Sequence, residues 1–352
     1  MPRALVVAPN WIGDAVMAQP LLAQLKSQGF EIDVLATPWV APVFKVCKEV
    51  NQIIEADFKH GLFNLKLRRE VATYLSTCSY DAAYVLPNSW KSAIVPWLAK
   101  IPTKIGYRGE LRAGLLNFRL ANPPRKNRPS MVKHYAALAE LSQNTSLMSL
   151  EVTNPSLELS PKDIEQTKAL ISKLLPNSSN YFVLAPGAEY GPAKQWPLDH
   201  FASLAKSLLT QYPQSGVLII GGPKDKAPSE EIIRQVQSSN GNFSDRIKST
   251  CGQINLINSI GLVSLASGVA SNDSGMMHIA AAFKAPQVAF FGSSDPKHTP
   301  PLSEFATPLW LGLDCSPCHK RQCPLGHLNC LKDISPDSAL TALTNQIIHK
   351  KG

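Results

Sequence analysis

Short, mostly apolar runs recur along the chain and alternate with segments in which apolar residues have helical spacing. The runs lie at residues 4–8, 32–36, 81–86, 181–185, 217–220, 269–271 and 287–291. Runs of this length without a polar alternation are typical of strands buried on both faces of a parallel sheet. After the first run, one helix face is formed by Val16, Met17, Leu21, Leu22 and Leu25. The pattern predicts an α/β fold with doubly wound parallel sheets.

The alternation is interrupted once, and the interruption divides the chain. Pro- and Arg-rich sequence at about 120–130 precedes a helix predicted from Met131 to about Leu147, and 148–160 has the composition of a linker. Ser160 and Pro161 are the residue types preferred at a helix N-cap and first helical position. A length of 352 residues also favours two domains. We predict domains at 1–155 and 156–332 and a closing helix within 333–352.

The composition is that of a soluble globular protein with a basic excess. Hydrophobic residues make up 44% and charged residues 17%, which argues against a disordered chain. No run approaches the roughly 18 apolar residues that cross a bilayer, and the N-terminus lacks the build of a signal peptide. We therefore expect a cytoplasmic protein. The net charge of +9 favours an anionic partner, such as nucleic acid, an acidic membrane surface or a phosphorylated substrate.

The basic residues are concentrated in one region of the first predicted domain. Between residues 100 and 128 the only acid is Glu110, and the basic residues are Lys100, Lys104, Arg108, Arg112, Arg119, Arg125, Lys126 and Arg128. Near an anionic membrane each such charge contributes about 1 kcal/mol of attraction. The region is a candidate surface for membrane contact.

Three loops that follow predicted strands carry residues suited to an anionic ligand, which parallel sheets bind beyond the carboxyl ends of their strands. Trp11–Asp14 combines a glycine with an acid able to act as a general base. Pro186–Pro197 carries Lys194, suited to a diphosphate, without the spacing of a P-loop or GxGxxG motif. In Asn272–His278 a strand turns into a helix, whose first N–H groups and dipole favour phosphate. The alternative to ligand binding is an ordinary structural role, in which the polar residues at the helix start are caps and the lysine is solvated.

Together, these loops resemble glycosyltransferase family 9, the ADP-heptose:lipopolysaccharide heptosyltransferases. The resemblance rests on Gly13-Asp14, on GAEYGPAKQWP at 187–197 and on NDSGMMH at 272–278, and it extends to about residue 300. VLPNSWKSA (85–93) and GYRGELRAGLLN (106–117) are closer still to members that add the second heptose of the inner core. The resemblance implies a GT-B architecture of two Rossmann-like domains with an interdomain cleft. It also implies that the closing helix packs back on the first domain.

The resemblance implies an inverting glycosyltransferase that needs no catalytic metal. Its donor would be ADP-heptose, and its acceptor the first heptose of a lipid A–Kdo–heptose core (heptosyl-Kdo2-lipid A) of Gram-negative lipopolysaccharide. Such a substrate implies a cytoplasmic protein in peripheral contact with the inner membrane, with no nucleic-acid partner.

The matching positions imply individual roles. Asp14 would be the catalytic base, and Lys194 would steady the diphosphate as charge builds on it. The expected donor-site residues are Gly187, Ala188, Lys194, Asp225, Asp273, Ser274, Gly275 and His278. The expected acceptor-site residues are Gly13, Asn88, Lys91, Arg108 and Arg112. Arginine suits phosphates and Kdo carboxylates through its fork geometry, although a solvated basic face is the alternative.

Four cysteines crowd into residues 315–330, with His319 and His327 between them: Cys315, Cys318, Cys323 and Cys330. The first spacing fits a zinc knuckle, whereas the remainder is not a standard four-ligand pattern. A structural zinc, buried reduced thiols and disulfides remain alternatives.

Two other classes of protein remain possible. One is another GT-B enzyme, such as a nucleotide-sugar 2-epimerase, which has no lipid acceptor; the arginine-rich first half favours a transferase. The other is a basic nucleic-acid-binding protein with a zinc tail. Against it, the basic region lacks interleaved aromatic residues, and no recognition-helix module is evident.

Overall fold

A computed structural model describes residues 1–58, 63–124, 128–140, 150–238 and 243–351. The chain forms two compact units, Met1–Glu158 and Leu159–Gly352. Each unit has its own sheet of six parallel strands flanked by helices. Within the described residues, no helix combines the length and the apolar character needed to span a bilayer.

The first unit is built on a sheet in the order β3-β2-β1-β4-β5-β6. Its strands are β1 (Arg3–Val7), β2 (Glu31–Ala36), β3 (Val50–Glu55), β4 (Ala82–Val85), β5 (Thr103–Tyr107) and β6 (Phe118–Leu120). Its α-helices are α1 (Ile12–Met17), α2 (Gln19–Ser27), α3 (Ala41–Lys45), α4 (Leu65–Thr77), α5 (Trp90–Leu98) and α6 (Met131–Ala136). Short 3-10 turns occur at Arg112–Gly114 and Ala137–Ala139.

The central strands of this sheet are buried on both faces, as their apolar runs predict. Asp33 on β2 is a buried exception. Its Oδ2 accepts hydrogen bonds from the Arg3 guanidinium at 2.7 Å and from the Tyr80 hydroxyl at 2.6 Å. A buried carboxylate is tolerated when it is paired and hydrogen-bonded in this way.

The second unit is built on a sheet in the order β12-β11-β10-β7-β8-β9. Its strands are β7 (Asn180–Ala185), β8 (Ser215–Ile219), β9 (Ile247–Ser249), β10 (Gly268–Asn272), β11 (Gln287–Phe290) and β12 (Ala306–Leu309). Its α-helices are α7 (Pro161–Leu174), α8 (Leu198–Gln211), α9 (Lys226–Gln237), α10 (Leu256–Ser264), α11 (Gly275–Ala282), α12 (Asn329–Lys332) and α13 (Pro336–Lys351). Short 3-10 turns occur at Pro192–Lys194 and Pro223–Asp225.

The C-terminal helix α13 packs within the second unit. It contacts α8 and the strands β10, β11 and β12, and its buried residues are Ala339, Leu343 and Ile347. Gly268 on β10 allows this approach, since a Cβ there would lie 3.2 Å from the Leu343 side chain. The further contact with the first domain that the resemblance implies stays a prediction.

The two sheets have the same topology. Counted from the first strand of each unit, both have the order 3-2-1-4-5-6, which reverses direction between the first and fourth strands. These switch points lie between β1 and β4 and between β7 and β10. Ligands of doubly wound sheets bind beyond the carboxyl ends of the strands at such a point. The topology therefore predicts that a ligand site lies at the loops after these four strands.

The predicted doubly wound architecture is confirmed, with differences in detail. The predicted helix over 16–25 is divided into α1 and α2, where Pro20 lies within the first turn of α2 and has no N–H for a continuous helix. Of the helix predicted over 131–147, the structure shows α6 and the 3-10 turn that follows it. Residues 141–149 lie outside the described residues.

Candidate active site

The loop after β10 turns directly into α11. Ser274 is the N-cap of α11, its backbone is extended, and its side chain makes no cap hydrogen bond. Within the described residues, the buried Ser274 hydroxyl has no hydrogen-bond partner. Gly275 begins the helix, where the first-turn N–H groups have no intrahelical acceptor. The Ser274 hydroxyl and these N–H groups are suited to an anionic ligand.

Lys194 from the loop after β7 reaches the loop after β10. Its Nζ lies 2.6 Å from Oδ2 of Asp273, and the two side chains are only 18% and 4% exposed. The Ser294 hydroxyl donates to the same carboxylate oxygen. The structure therefore brings together the lysine and the acid that the sequence placed in separate loops. It sets the ammonium group beside the residue that precedes Ser274.

Asn272 fixes these two loops against each other. Its Oδ1 accepts a hydrogen bond from the Trp196 backbone N–H at 2.9 Å, and its Nδ2 donates to the Pro186 carbonyl at 2.6 Å. Asn272 is fully buried, so both polar ends of the amide need these partners. The loop that carries Lys194 is thus held at both ends by one side chain of β10.

His278 lies in the first turn and a half of α11 and is buried. Burial lowers its pKa to about 4; Lys194 also lowers the pKa, while Asp273 opposes the shift. The imidazole is therefore neutral at pH 7. In the predicted diphosphate-binding turn it can supply a hydrogen bond but not a positive charge.

Asp225 lies against the first part of the loop after β7. A Cβ on Gly187 would come within 2.6 Å of Asp225 Oδ2, so any larger residue there would displace the Asp225 carboxylate. The same carboxylate oxygen accepts a hydrogen bond from the Gly222 N–H at 2.8 Å, and burial raises the pKa of Asp225. Ala188, next in the loop, is partly exposed. The structure thus groups Gly187, Ala188 and Asp225.

Sequence reasoning missed three neighbours of Lys194. Ser294 follows β11, so the rule that ligand loops follow strands would have found it. The ring centroid of Tyr190 lies 5.1 Å from the Lys194 ammonium and 5.4 Å from the Arg321 guanidinium, within the range of cation–π contacts. Arg321 comes from an irregular segment, and no periodicity in the sequence indicates its place.

The cysteine-rich segment, residues 315–330, is hydrogen-bonded to the loops of this site. The Ala193 N–H donates to the Arg321 carbonyl at 3.1 Å, and the His319 N–H donates to the Ser293 carbonyl at 2.7 Å. The Tyr190 hydroxyl donates to the His319 carbonyl at 2.9 Å. The segment is therefore one wall of the site in the second unit.

The four cysteines of this segment are free thiols that line one cavity of about 20 Å³. Backbone N–H groups, that of Leu328 first, hold the pKa of the Cys323 thiol below its usual value. Across the described residues, no three Cys, His, Asp or Glu side chains are grouped so that they could hold a metal ion. The four thiols therefore line the same cavity, but they are not close enough together to bind a metal ion as they stand.

In the first unit, Asp14 lies in the first turn of α1, after β1 and beside Gly13. The Tyr135 hydroxyl donates a hydrogen bond to Asp14 Oδ1 at 3.2 Å. Burial, and secondly the carboxylate of Asp14, raise the pKa of Tyr135 well above its usual value. Tyr135 therefore stays protonated and orients the partly exposed carboxylate.

The residues predicted to face the acceptor differ in their exposure. Asn88 and Arg108 are exposed and Lys91 is partly exposed, whereas Arg112 is only 1% exposed. The Arg112 guanidinium donates to the Pro87 carbonyl at 2.7 Å, to Asn88 Oδ1 at 3.1 Å and to the Tyr107 carbonyl. It joins the loops after β4 and β5. The acceptor contact expected of Arg112 stays a prediction, and its buried guanidinium already connects these two loops.

Comparisons with known proteins agree with this arrangement. A family model described as glycosyltransferase family 9 (heptosyltransferase) matches residues 68–329. Lipooligosaccharide heptosyltransferase 2 of Haemophilus influenzae is 37% identical over 98% of this chain and 99% of its own length. Lipopolysaccharide heptosyltransferase 2 of Salmonella typhimurium is 36% identical over 97% of each chain. The solved structure of the Escherichia coli ADP-heptose lipopolysaccharide heptosyltransferase II has a TM-score of 0.87 and 33% identity, covering 99% of this chain and 100% of that one.

These similarities extend over nearly the whole chain and include both units. They confirm the GT-B architecture and the expected resemblance to heptosyltransferase II, and they favour neither the epimerase nor the nucleic-acid-binding alternative. The protein is a glycosyltransferase, and the chain belongs to glycosyltransferase family 9, the heptosyltransferases.

Proposed function

We propose that the chain moves L-glycero-D-manno-heptose from ADP-heptose to the first heptose of heptosyl-Kdo2-lipid A, with inversion at the anomeric carbon. The full-length relatives named heptosyltransferase 2 support this choice of substrates. The observation that carries the proposal is the Lys194–Asp273 pair at the start of α11. A diphosphate leaving group is stabilised by positive charge that is already in place where its negative charge develops.

In the proposed reaction, the Asp14 carboxylate takes the proton of an acceptor heptose hydroxyl. The hydroxyl oxygen then bonds to the anomeric carbon of the donor as the bond between that carbon and the β-phosphate oxygen breaks. The electron pair of the broken bond leaves with ADP, and Asp14 later releases its proton to solvent. A hydrogen bond from Tyr135 keeps the carboxylate in a fixed orientation, as general-base catalysis requires.

On the donor side, the Lys194 ammonium, the Ser274 hydroxyl and the N–H groups that begin at Gly275 would bind the diphosphate. Asp273 would hold the ammonium in place and accept hydrogen bonds from the donor sugar. Neutral His278 would add a hydrogen bond near the phosphates. The remaining donor contacts are proposed for the backbone of Gly187 and Ala188 and, at the ribose, for Asp225.

On the acceptor side, we assign the lipid-core anions to Lys91 and Arg108, with Gly13 and Asn88 as polar or backbone contacts. The described and exposed basic residues of the 100–128 region also include Lys100, Arg119 and Arg128. Arg125 and Lys126 lie outside the described residues. This charge would hold the protein peripherally on the anionic cytoplasmic face of the inner membrane.

The transfer step is proposed to need no metal, because Lys194 and the start of α11 supply the positive charge. A structural zinc at the four cysteines is a separate proposal. It is supported by their convergence on one cavity and by the N–H groups that favour a thiolate at Cys323, since the thiolate is the form that binds metal. Zinc binding would require the four thiols to move closer together.

The test is ADP release from ADP-heptose in the presence and absence of heptosyl-Kdo2-lipid A. We expect release that depends on the acceptor, with the product one heptose heavier by mass spectrometry. Turnover of the donor without acceptor would favour the epimerase class. Tight nucleic-acid binding at physiological salt, without any ADP release, would favour the nucleic-acid-binding class.

A further inference from the structure

Two tryptophan side chains are half exposed in loops of the first unit. Trp11 is 50% and Trp39 57% exposed. Trp11 is the N-cap of α1, and Trp39 lies in the turn between β2 and α3. Tryptophan is highly buried on average, and exposed apolar surface next to polar groups often marks a binding groove. The exposure of both rings needs an explanation that the fold does not supply.

The sheet brings these two residues to the same edge. β1 and β2 are parallel neighbours, and Val7 is paired in register with Leu35. Trp11 is four residues beyond Val7, and Trp39 is four residues beyond Leu35. Adjacent strands are about 4.8 Å apart, so both loops leave the carboxyl edge side by side. Asp14, the proposed base, follows Trp11 by three residues.

Other tryptophans of the chain have a different setting. Trp90, which follows β4, has its ring centroid 5.0 Å from that of Phe63. Trp97 is also 47% exposed, but it lies in the last turn of α5. Because α5 leads into the start of β5, Trp97 lies towards the amino edge of the sheet. Within the described part of the chain, neither the Trp11 nor the Trp39 indole has a hydrogen-bond or ring partner.

We propose that Trp11 and Trp39 form a stacking platform for the sugar rings of the acceptor. A pyranose ring presents C–H groups on its faces and hydroxyl groups at its rim. The flat indole faces match the C–H faces, and the indole N–H groups can donate to sugar oxygens. Asp14 beside the platform then faces the hydroxyl rim from which it takes a proton. The inference rests on the proposed function and adds the element that recognises the acceptor saccharide.

The platform explains how a neutral sugar is held beside the base. The charged residues proposed for the acceptor bind phosphates and carboxylates, which leave the heptose ring free to turn. Stacking fixes the plane of that ring, and fixed orientation is a large part of the advantage of an enzyme-bound reaction. Loss of an indole is therefore expected to weaken acceptor binding without changing donor binding.

The first experiment compares Trp11→Ala and Trp39→Ala with the matched control Trp97→Ala. Each platform variant is expected to raise the acceptor KM about tenfold and to leave the donor KM within twofold. An unchanged donor KM in the alanine variants would show that they fold, and Trp11→Phe and Trp39→Phe are expected to restore most of the acceptor affinity. An unchanged acceptor KM, or equal effects on both substrates, would overturn the platform.

The second experiment does not depend on the donor. Tryptophan fluorescence is titrated with a heptosyl-Kdo2 oligosaccharide freed of its acyl chains. A saturable change is expected, and it should be absent from the double variant Trp11→Phe/Trp39→Phe. If this change occurs while ADP-heptose gives no turnover, the platform is supported and the donor assignment fails. The same change with anionic phospholipid vesicles that lack the saccharide would overturn the platform in favour of a membrane anchor.

Discussion

The Lys194 ammonium lies 2.6 Å from the Asp273 carboxylate, and the same carboxylate oxygen accepts the Ser294 hydroxyl. Loops that follow β7, β10 and β11 therefore meet at one oxygen atom. Because Asp273 is almost fully buried, its charge is tolerated only while it remains paired. Lys194 has both a structural partner and, in the proposed reaction, an anionic substrate. The kinetic and structural consequences of its loss need separate measurements.

Replacement of Lys194 by alanine is expected to lower kcat about 10²- to 10³-fold and to raise the donor KM. The reason is the loss of positive charge at the leaving diphosphate. Steady-state kinetics with ADP-heptose test this, and thermal unfolding reports the cost of leaving Asp273 unpaired. Lys224→Ala is the control, because Lys224 is exposed and pairs with exposed Glu189. An effect confined to the acceptor KM would contradict the assignment.

Asp14→Asn is expected to lower kcat about 10²- to 10⁴-fold, because the amide cannot take the acceptor proton. ADP binding, measured by calorimetry, should be unchanged. Tyr135→Phe should cause a smaller loss, since it removes only the hydrogen bond that orients the carboxylate. A normal kcat in Asp14→Asn would exclude Asp14 as the base.

His278 makes folding sensitive to acid. Its pKa of about 4 in the folded protein lies below the ordinary value of 6.5, so the unfolded chain takes up the proton first as the pH falls. The free energy of unfolding therefore decreases between pH 6.5 and 4, by roughly 2 kcal/mol on reaching pH 5. Urea unfolding at pH 7 and pH 5 should show a smaller decrease for His278→Asn than for the unchanged protein. Parallel decreases would contradict this.

The two arginines of the loop after β5 are expected to have different roles: Arg112 a structural one and Arg108 a role in acceptor binding. Arg112→Ala removes a buried guanidinium and its three hydrogen bonds between the loops after β4 and β5. It is expected to cost about 2–3 kcal/mol of unfolding free energy. Arg108→Ala should leave the melting temperature unchanged and raise the acceptor KM. Denaturant unfolding and acceptor kinetics on both variants test the pair. A stable Arg112→Ala protein would contradict the structural role.

If the cysteine-rich segment binds zinc, protein purified without chelators should contain about one equivalent by elemental analysis. Cys315→Ser/Cys318→Ser should lose it, whereas Cys78→Ser, in the first unit, should keep it. Metal-free protein after fresh purification would end the zinc proposal. ADP release should be the same with and without added Mg²⁺ in either case.

Most central strands could be predicted from the sequence, but β5 and the outer strands could not. A strand between two others in the sheet is largely buried on both faces, which favours a mostly apolar run; β5 has the mixed sequence TKIGY. Four of the five strands that were not predicted, β3, β6, β9 and β12, are sheet edges. The residues of β3 are mostly exposed or partly exposed, so its apolar signal is weak.

Part of the site could be predicted from the rule that ligand-binding loops follow the carboxyl ends of parallel strands. The rule placed the loops that carry Asp14, Lys194 and Asp273, and the structure joins the last two. It did not distinguish a buried arginine from an exposed one, because charge composition contains no information on burial; Arg112 is the example. Arg321 lies in a segment without periodic structure, whose place depends on tertiary contacts alone.

The shared strand order has a consequence for how such enzymes can change. In each unit the loops after the first and fourth strands carry residues that are central to the proposed reaction: Asp14 and Asn88 in one, Lys194 and Asp273 in the other. Most of the strand residues beneath these loops are packed into the sheet cores. Substitutions in the loops of one unit can therefore alter its substrate while the framework of that unit and the chemistry of the other unit are inherited unchanged. New donor and acceptor preferences can evolve separately, one loop at a time.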